Sequence, residues 1–243
     1  MHASLIVTLG IGGLALAVAA LFVWGQLAAA RRLGESTRQV GLFAALGTLF
    51  WLGLSALAAS SGLLARFDLR PPPMALMFVA VTALGVFVGL SRAGERLALG
   101  LPLWLLIGVQ GFRLPLELVM HRAAGEGVMP VEMSFSGYNF DIVTGTSALL
   151  IAALSFREQA PRFLIAAWNA LGLVLLSVVA VVAFVSSPIV HAFGTDPAHV
   201  NTWVTQVPFV WLPAVLVTAA LSGHIIVWRR LSAAAAQDLA KSA

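Results

Sequence analysis

Seven long runs of apolar residues follow one another along this 243-residue chain, and arginines lie in most of the links between them. A helix that crosses the roughly 30 Å hydrocarbon core of a bilayer needs about 20 apolar residues. Only 10% of the residues are charged, whereas soluble domains carry about 25%, so too few charges remain to cover a surface in water. The sequence predicts an all-α polytopic membrane protein, a single transmembrane domain over residues 1–243 with seven helices at 4–29, 40–64, 73–90, 98–121, 140–156, 163–186 and 207–228.

The basic residues of the links indicate how these helices are oriented. With seven spans, ten of the fourteen Lys and Arg residues fall on one side of the membrane and only three on the other. Because cytoplasmic loops carry an excess of Lys and Arg, we predict an N-terminus outside and a C-terminus in the cytoplasm of a bacterium, with the bundle in the inner membrane. The ten are Arg31, Arg32, Arg38, Arg92, Arg96, Arg157, Arg162, Arg229, Arg230 and Lys241, and the three are Arg66, Arg70 and Arg122.

Composition excludes several classes of site. The chain has no cysteine, so it forms neither a disulfide nor a thiolate metal centre. Its single lysine, Lys241, lies in the C-terminal tail, so no lysine within a helix can hold retinal as a Schiff base. The basic residues punctuate the apolar runs rather than cluster, which argues against a nucleic-acid partner. No HExxH, GxSxG or phosphate-binding glycine motif occurs, and we predict neither a metal nor a cofactor.

Polar residues recur along one stripe of the fourth predicted helix. Gln110, Arg113, Glu117 and His121 are spaced by three or four residues, which keeps them on one face of a helix. Pro115 clashes with the carbonyl four residues earlier and frees that backbone group. Charged groups at membrane depth tend to pair and to face the interior of a bundle, so the stripe favours a polar cavity. The alternative is that Arg113 extends outward to the headgroups and Glu117 neutralises it.

The start of the fifth predicted helix faces this stripe, because consecutive spans run antiparallel. Asn139 is a candidate N-cap and Asp141 a first-turn acid, yet Asp141 also enters near the level of Glu117 and is the expected partner of Arg113. Near the inner end of the seventh helix, His224 is interpreted as a residue that satisfies the helix end. The sequence therefore predicts an outward-facing polar pocket, with the candidate ligand-binding residues Arg113, Glu117, His121, Asn139, Asp141 and Gln206.

A long outer link, residues 122–139, joins the fourth and fifth helices. Val131, Met133 and Phe135 alternate with polar residues, a period of two that is typical of a strand. We predict a short hairpin or strand that lies over the outer mouth of the bundle.

Three segments carry a resemblance. "FRLPLELV", "GYNFDIVTG" and "PFVWLP" followed by His224 resemble a pattern found in uncharacterised bacterial seven-helix membrane proteins, over roughly residues 111–230. The resemblance implies a seven-helix fold and no particular activity.

Three functions are compatible with this pattern. The first is binding or transport of a small solute, with Arg113 as the anchor of an anion or carboxylate and Glu117, Asp141 and His121 as proton-coupling or substrate-contacting groups. The second is a seven-helix sensor without retinal. The third is a membrane-embedded enzyme in which Glu117 or Asp141 acts with His121 as acid and base. The expected partners are the lipid bilayer and a small molecule, and the oligomeric state is left open.

Overall fold

A computed structural model of the chain describes residues 3–242, apart from the side chains of residues 235 and 237–242, a range that includes Lys241. Over this range the chain is helical and has no strand, so the all-α prediction is confirmed. The helices are α1 (Leu5–Leu33), α2 (Thr37–Ser60), α3 (Pro73–Leu90), α4 (Arg92–Gly100), α5 (Leu103–Val109), α6 (Arg113–Gly125), α7 (Asp141–Phe156), α8 (Arg162–Val185) and α9 (Thr218–Ser242), and π-helical turns at Leu212–Val217 lead into α9.

Six of these segments are long and apolar enough to cross a membrane. They are Leu5–Leu33, Thr37–Ser60, Pro73–Leu90, Leu103–Gly125, Arg162–Val185 and Leu212–Ala234. The remaining predicted span, the fifth, at 140–156, corresponds to α7, which is apolar but has only 16 residues. Length and composition thus make six helices of the described chain sufficient to cross a bilayer.

The fourth span does not start where the sequence predicts. The predicted helix at 98–121 merges the end of α4 with the span that follows, whereas α4 stops at Gly100 and the span runs from Leu103 to Gly125. Pro102 causes the break, since it has no N–H with which to continue α4 and it precedes the first residue of α5.

Pro115 distorts the fourth span one turn before its own position. The α-helix gives way to a 3₁₀ turn at Gln110–Phe112 and resumes at Arg113. This is the expected site of disruption, because the proline removes the hydrogen bond to the Gly111 carbonyl and its ring crowds that carbonyl. The distortion places Arg113 at the start of a new helical segment.

One end of the bundle, here called the basic end, brings together α1, α4 and α9. Arg96 donates from Nη1 to Oε1 of Gln26 on α1 at 2.9 Å, and Gln26 donates from Nε2 to the Ala93 carbonyl at 3.1 Å. Arg229 on α9 donates to the carbonyls of Gly89 and Ser91, each at 2.9 Å. Arg96 of α4 and Arg229 of α9 therefore lie at the same end of the molecule.

The opposite end carries the N-terminus of α1 and the link from α6 to α7. The backbone N–H of Ser4 donates to Oε2 of Glu126 at 2.9 Å. Because Glu126 accepts this bond and also pairs with Arg122, its pKa lies below the ordinary range of a glutamate. Nδ1 of His199 lies 2.6 Å from Oε1 of Glu132, which ties the same link to the segment before α9.

The predicted strand or hairpin in residues 122–139 is wrong. Helix α6 extends to Gly125, and the link then forms a 3₁₀ turn at Val131–Met133. Ser134 stabilises this turn, since its hydroxyl donates to the Val131 carbonyl and accepts from the N–H of Ser136. Such local side-chain bonds compete with extended structure. Met133 is buried in the core, so the link does lie on the bundle, although not as a strand.

Candidate functional site

Helix α7 begins part-way along the fourth span rather than at its end. A Cβ built on Gly145 would lie 2.5 Å from the backbone N of Leu114 and 2.9 Å from Cβ of Arg113, so α6 and α7 touch backbone to backbone at this point. Asp141, one turn earlier, consequently lies level with Glu117. This level is eight residues before the end of α6, or about 12 Å along its axis. The chain reaches it through the non-helical residues 134–140.

Arg113 and Asp141 form a buried ion pair at this level. Nη1 of Arg113 lies 2.8 Å from Oδ1 of Asp141. Arg113 is 0% exposed and Asp141 is 5% exposed. The predicted partnership is therefore confirmed, and the alternative in which Arg113 extends outward to the headgroups is wrong. The side chain points into the bundle because α7 packs directly over the arginine.

Asn139 connects the two acids of the site. Its Nδ2 donates to Oε1 of Glu117 at 2.8 Å and to the Met133 carbonyl at 3.0 Å, and its Oδ1 accepts from the N–H of Asp141 at 3.0 Å. The N-cap position itself is occupied by Phe140, so the predicted capping role is displaced by one residue. Asn139 still satisfies the first amide of α7, and it fixes the link against α6.

Two of the six predicted site residues lie elsewhere. His121 is exposed, with Nδ1 3.1 Å from Oγ of Ser136 and its ring stacked on Phe135 at 4.3 Å. It lies one turn beyond Glu117 on the exposed face of α6, while Met120 and Ala123 on the opposite face stay buried in the core. Gln206 is also exposed and directly follows the 3₁₀ turn Trp203–Thr205. The structure thus brings together Arg113, Glu117, Asn139 and Asp141 only.

His224 has a different role from the one predicted. It lies inside α9, which continues to Ser242, so it does not satisfy a helix end. Its Nδ1 lies 2.8 Å from Oδ1 of Asn169, and Nδ2 of Asn169 donates to the His224 carbonyl at 3.1 Å. Because the amide orientation makes Oδ1 the acceptor, Nδ1 carries the proton and Nε2 is an acceptor. The ring fits against Gly172, where a Cβ would lie 2.3 Å from Cε1.

Six buried polar atoms around this site have no hydrogen-bond partner among the described residues. Two are donors on Arg113 and four are acceptors or hydroxyl oxygens on α5 to α9: Arg113 Nε and Nη2, Glu117 Oε2, Thr144 Oγ1, Gln110 Oε1 and His224 Nε2. Buried polar groups are rarely left unpaired. These six atoms can therefore form hydrogen bonds with water or with a small polar ligand. The unpaired atoms of Gln110, Thr144 and His224 extend the site beyond the four clustered residues. In the sequence, polar residues in the middle of apolar runs, such as Asn169 and His224, indicate this extension.

The described residues offer no group of three or more His, Asp or Glu side chains placed to hold a metal ion. The polar side chains that do converge are one guanidinium, which donates, two carboxyls, which accept, and amides, which do both. Guanidinium groups donate charge-assisted hydrogen bonds to carboxylates and phosphates.

A cleft of about 990 Å³ approaches the site from the basic end. Gln110 lies on its floor, one turn before Arg113, and is 1% exposed. On the other side the site is covered by Met133, Ser134 and Asn139, all of them buried. The expected outward-facing pocket is therefore closed in this structure, and the large cleft opens at the opposite end.

Comparison with known proteins adds no relative. No protein-family model, no curated protein and no solved structure matches the chain. The resemblance to bacterial seven-helix membrane proteins accordingly stays a prediction, and function rests on the geometry of the site.

Proposed function

We propose that the chain is a seven-span protein of a bacterial inner membrane that binds and moves a small carboxylate or other anion together with a proton. The observation that carries the proposal is the buried Arg113–Asp141 ion pair, in which two further nitrogens of Arg113, Nε and Nη2, have no partner among the described residues. A guanidinium with free donors at membrane depth is suited to an anionic group.

In addition to the six long helices, one more crossing is assigned to α7 together with the non-helical residues 134–140. Sixteen helical residues extend about 24 Å, which falls short of a hydrocarbon core of about 30 Å. The segment before α7 would supply the remaining distance. Its Ser134 and Asn139 are buried against the bundle, where irregular backbone at membrane depth must lie, whereas Ser136, Tyr138 and Phe140 are exposed. Phe156 at the end of α7 packs edge-on against Trp104 near the start of α5, which supports a full traverse towards the basic end.

We infer the orientation from the basic end. Its arginines lie together, on the side that the excess of Lys and Arg places in the cytoplasm. This orientation puts the N-terminus and the link of residues 126–140 outside.

Single cysteines can test this topology, because the chain contains none. In intact cells we expect a membrane-impermeant maleimide to label Thr195→Cys, in the exposed link between α8 and α9. Gln159→Cys, in the exposed link between α7 and α8, should react only after permeabilisation. Labelling of both positions from the same side would contradict a crossing by α8, and the reverse pattern would contradict the proposed seven-span topology with an outer N-terminus.

Charge balance supports coupling to a proton. The buried site contains one cation, Arg113, and two acids, Glu117 and Asp141. Burial of uncompensated charge is costly, so a neutral site needs one proton on the carboxyls. When a carboxylate solute binds Arg113 in place of Asp141, neutrality requires a second proton, which Asp141 accepts. Each solute anion then enters with one proton, and the buried charge is unchanged.

The enzyme and sensor hypotheses receive less support. An acid–base pair of His121 with Glu117 or Asp141 has no geometric basis, because His121 lies on the surface against Ser136. A sensor needs an output surface, and the links at the basic end are short, such as residues 34–36 and 157–161.

Uptake into proteoliposomes tests the proposal. The probes are radiolabelled acetate, lactate, succinate and inorganic phosphate, each measured with and without a pH gradient. We expect at least one probe to be taken up with stimulation by acid on the side of entry. Arg113→Lys should lower that uptake by about ten- to hundredfold, the worth of a hydrogen bond to a charged group.

The matched variants separate binding from coupling. Asp141→Asn should abolish stimulation by the pH gradient, since an amide cannot accept the proton. Arg122→Gln alters an exposed arginine on the same helix and should behave as the wild type. If no probe is taken up, or if Asp141→Asn keeps its response to the gradient, the proposal is wrong.

A further inference from the structure

The cleft at the basic end has walls that suit lipid better than a water-soluble solute. Aromatic and aliphatic side chains of α1, α2 and α3 line it, among them Phe43, Phe50 and Phe87, which are 74%, 69% and 69% exposed. An exposed apolar surface of this extent in a membrane protein lies against hydrocarbon.

The cleft also opens sideways, between α2 and α3. Helix α2 packs mainly on α1, whereas α3 packs mainly on α9. Two indole bonds hold α2 to the π-helical region in the half further from the basic end: Trp51 Nε1 donates to the Ala214 carbonyl at 2.7 Å, and Trp211 Nε1 donates to the Leu52 carbonyl at 3.3 Å. The half nearer the basic end is not held in this way, and there the cleft separates the two helices.

A cationic side chain lies at the mouth. Arg92 and Arg96 both line the cleft, but Arg96 is already occupied by Glu35 at 2.5 Å and by Gln26 at 2.9 Å. Arg92 is exposed and, within the described part of the chain, has neither an ion-pair nor a hydrogen-bond partner. Trp24, half exposed on α1, lines the same mouth, at the level where tryptophan marks the membrane interface.

We propose that this cleft is a binding site for one anionic phospholipid. Its acyl chains lie along the apolar walls between α2 and α3, and its phosphate pairs with Arg92. Charge complementarity selects the headgroup, because an unpaired cation at the interface attracts anionic lipid. The sideways opening selects a molecule that arrives from the bilayer. The floor of the cleft at Gln110 borders the buried Arg113 cluster, but the lipid contacts lie on α2, α3 and Arg92 and do not depend on which solute that cluster takes.

Native mass spectrometry of the purified protein tests the site. The protein is delipidated in detergent and then titrated with dioleoylphosphatidylglycerol or dioleoylphosphatidylcholine. We expect one phosphatidylglycerol to bind in preference to phosphatidylcholine. Arg92→Gln should weaken phosphatidylglycerol binding by about fivefold, the contribution of one basic residue near an anionic headgroup, while phosphatidylcholine binding stays unchanged.

Matched controls distinguish the cleft from the rest of the surface. Gly47 lines the cleft and has open space around it, so Gly47→Trp should fill the site and remove the bound lipid. Gly53, on the same helix and equally open, does not line the cleft, so Gly53→Trp should retain the lipid. Arg38→Gln, which removes an exposed arginine outside the cleft at the same end, should also retain it.

Three outcomes would overturn the proposal. They are equal binding of the two lipids, equal loss with Gly47→Trp and Gly53→Trp, and displacement of the lipid by inorganic phosphate alone, which would indicate a headgroup site without acyl-chain contacts. Failure of the uptake experiments on Arg113 would leave this titration unaffected.

Discussion

Arg113→Gln is expected to lower the free energy of unfolding by about 3 to 5 kcal/mol, the usual cost of breaking a buried ion pair from one side. The variant leaves Asp141 and Glu117, which are 5% and 1% exposed, without the cation that compensates them. Reversible unfolding in mixed detergent micelles, followed by circular dichroism, measures the loss.

A double variant separates the ion pair from general damage. In Arg113→Gln with Asp141→Asn, both charges are absent and two amides face each other, so we expect the double variant to recover much of the stability that Arg113→Gln loses. Arg122→Gln removes an exposed arginine of the same helix and should change stability little. Additive losses in the double variant would mean that the two residues act independently.

Gly145→Ala is expected to destabilise the protein by about 1 to 3 kcal/mol, the usual cost of overpacking a tight contact. The new methyl would lie 2.5 Å from the backbone N of Leu114, and backbone cannot move aside as a flexible side chain can. The same shift would draw Asp141 away from Arg113, so Gly145→Ala and Arg113→Gln should be less than additive. Unfolding in the same micelles measures both effects.

Gly108→Ala is the matched control on the partner helix. A Cβ there would meet only the Ala152 methyl at 3.4 Å, an ordinary contact. Alanine also has the better helix propensity by about 1 kcal/mol, so this variant should be neutral or more stable. Equal destabilisation at both positions would show that the close approach at Gly145 has no special cost.

Much of the helical layout follows from local properties of the chain. Hydropathy predicts α3 at 73–90 to the residue, because the apolar run begins at a proline that starts the helix and ends at the polar Ser91. The stripe of Arg113 and Glu117 and the antiparallel approach of Asp141 predict the buried pair, since spacing along a helix and sequential antiparallel packing are both local facts. Pro102 in the sequence indicates the break between α4 and α5. Hydropathy alone does not detect this break, because the residues on both sides of the proline are apolar.

The sequence by itself determined which segments leave water, which polar residues share a helical face and which end is basic, because transfer free energy and helix periodicity depend on residues close in the chain. Only the tertiary structure decided the depth at which α7 begins, the pairing of His224 with Asn169 and the separation of α2 from α3. These depend on contacts between residues far apart in sequence, such as Gly145 against Leu114 and Gly172 against His224. Close packing of glycine against another helix sets such contacts, and no periodicity within either helix encodes its partner.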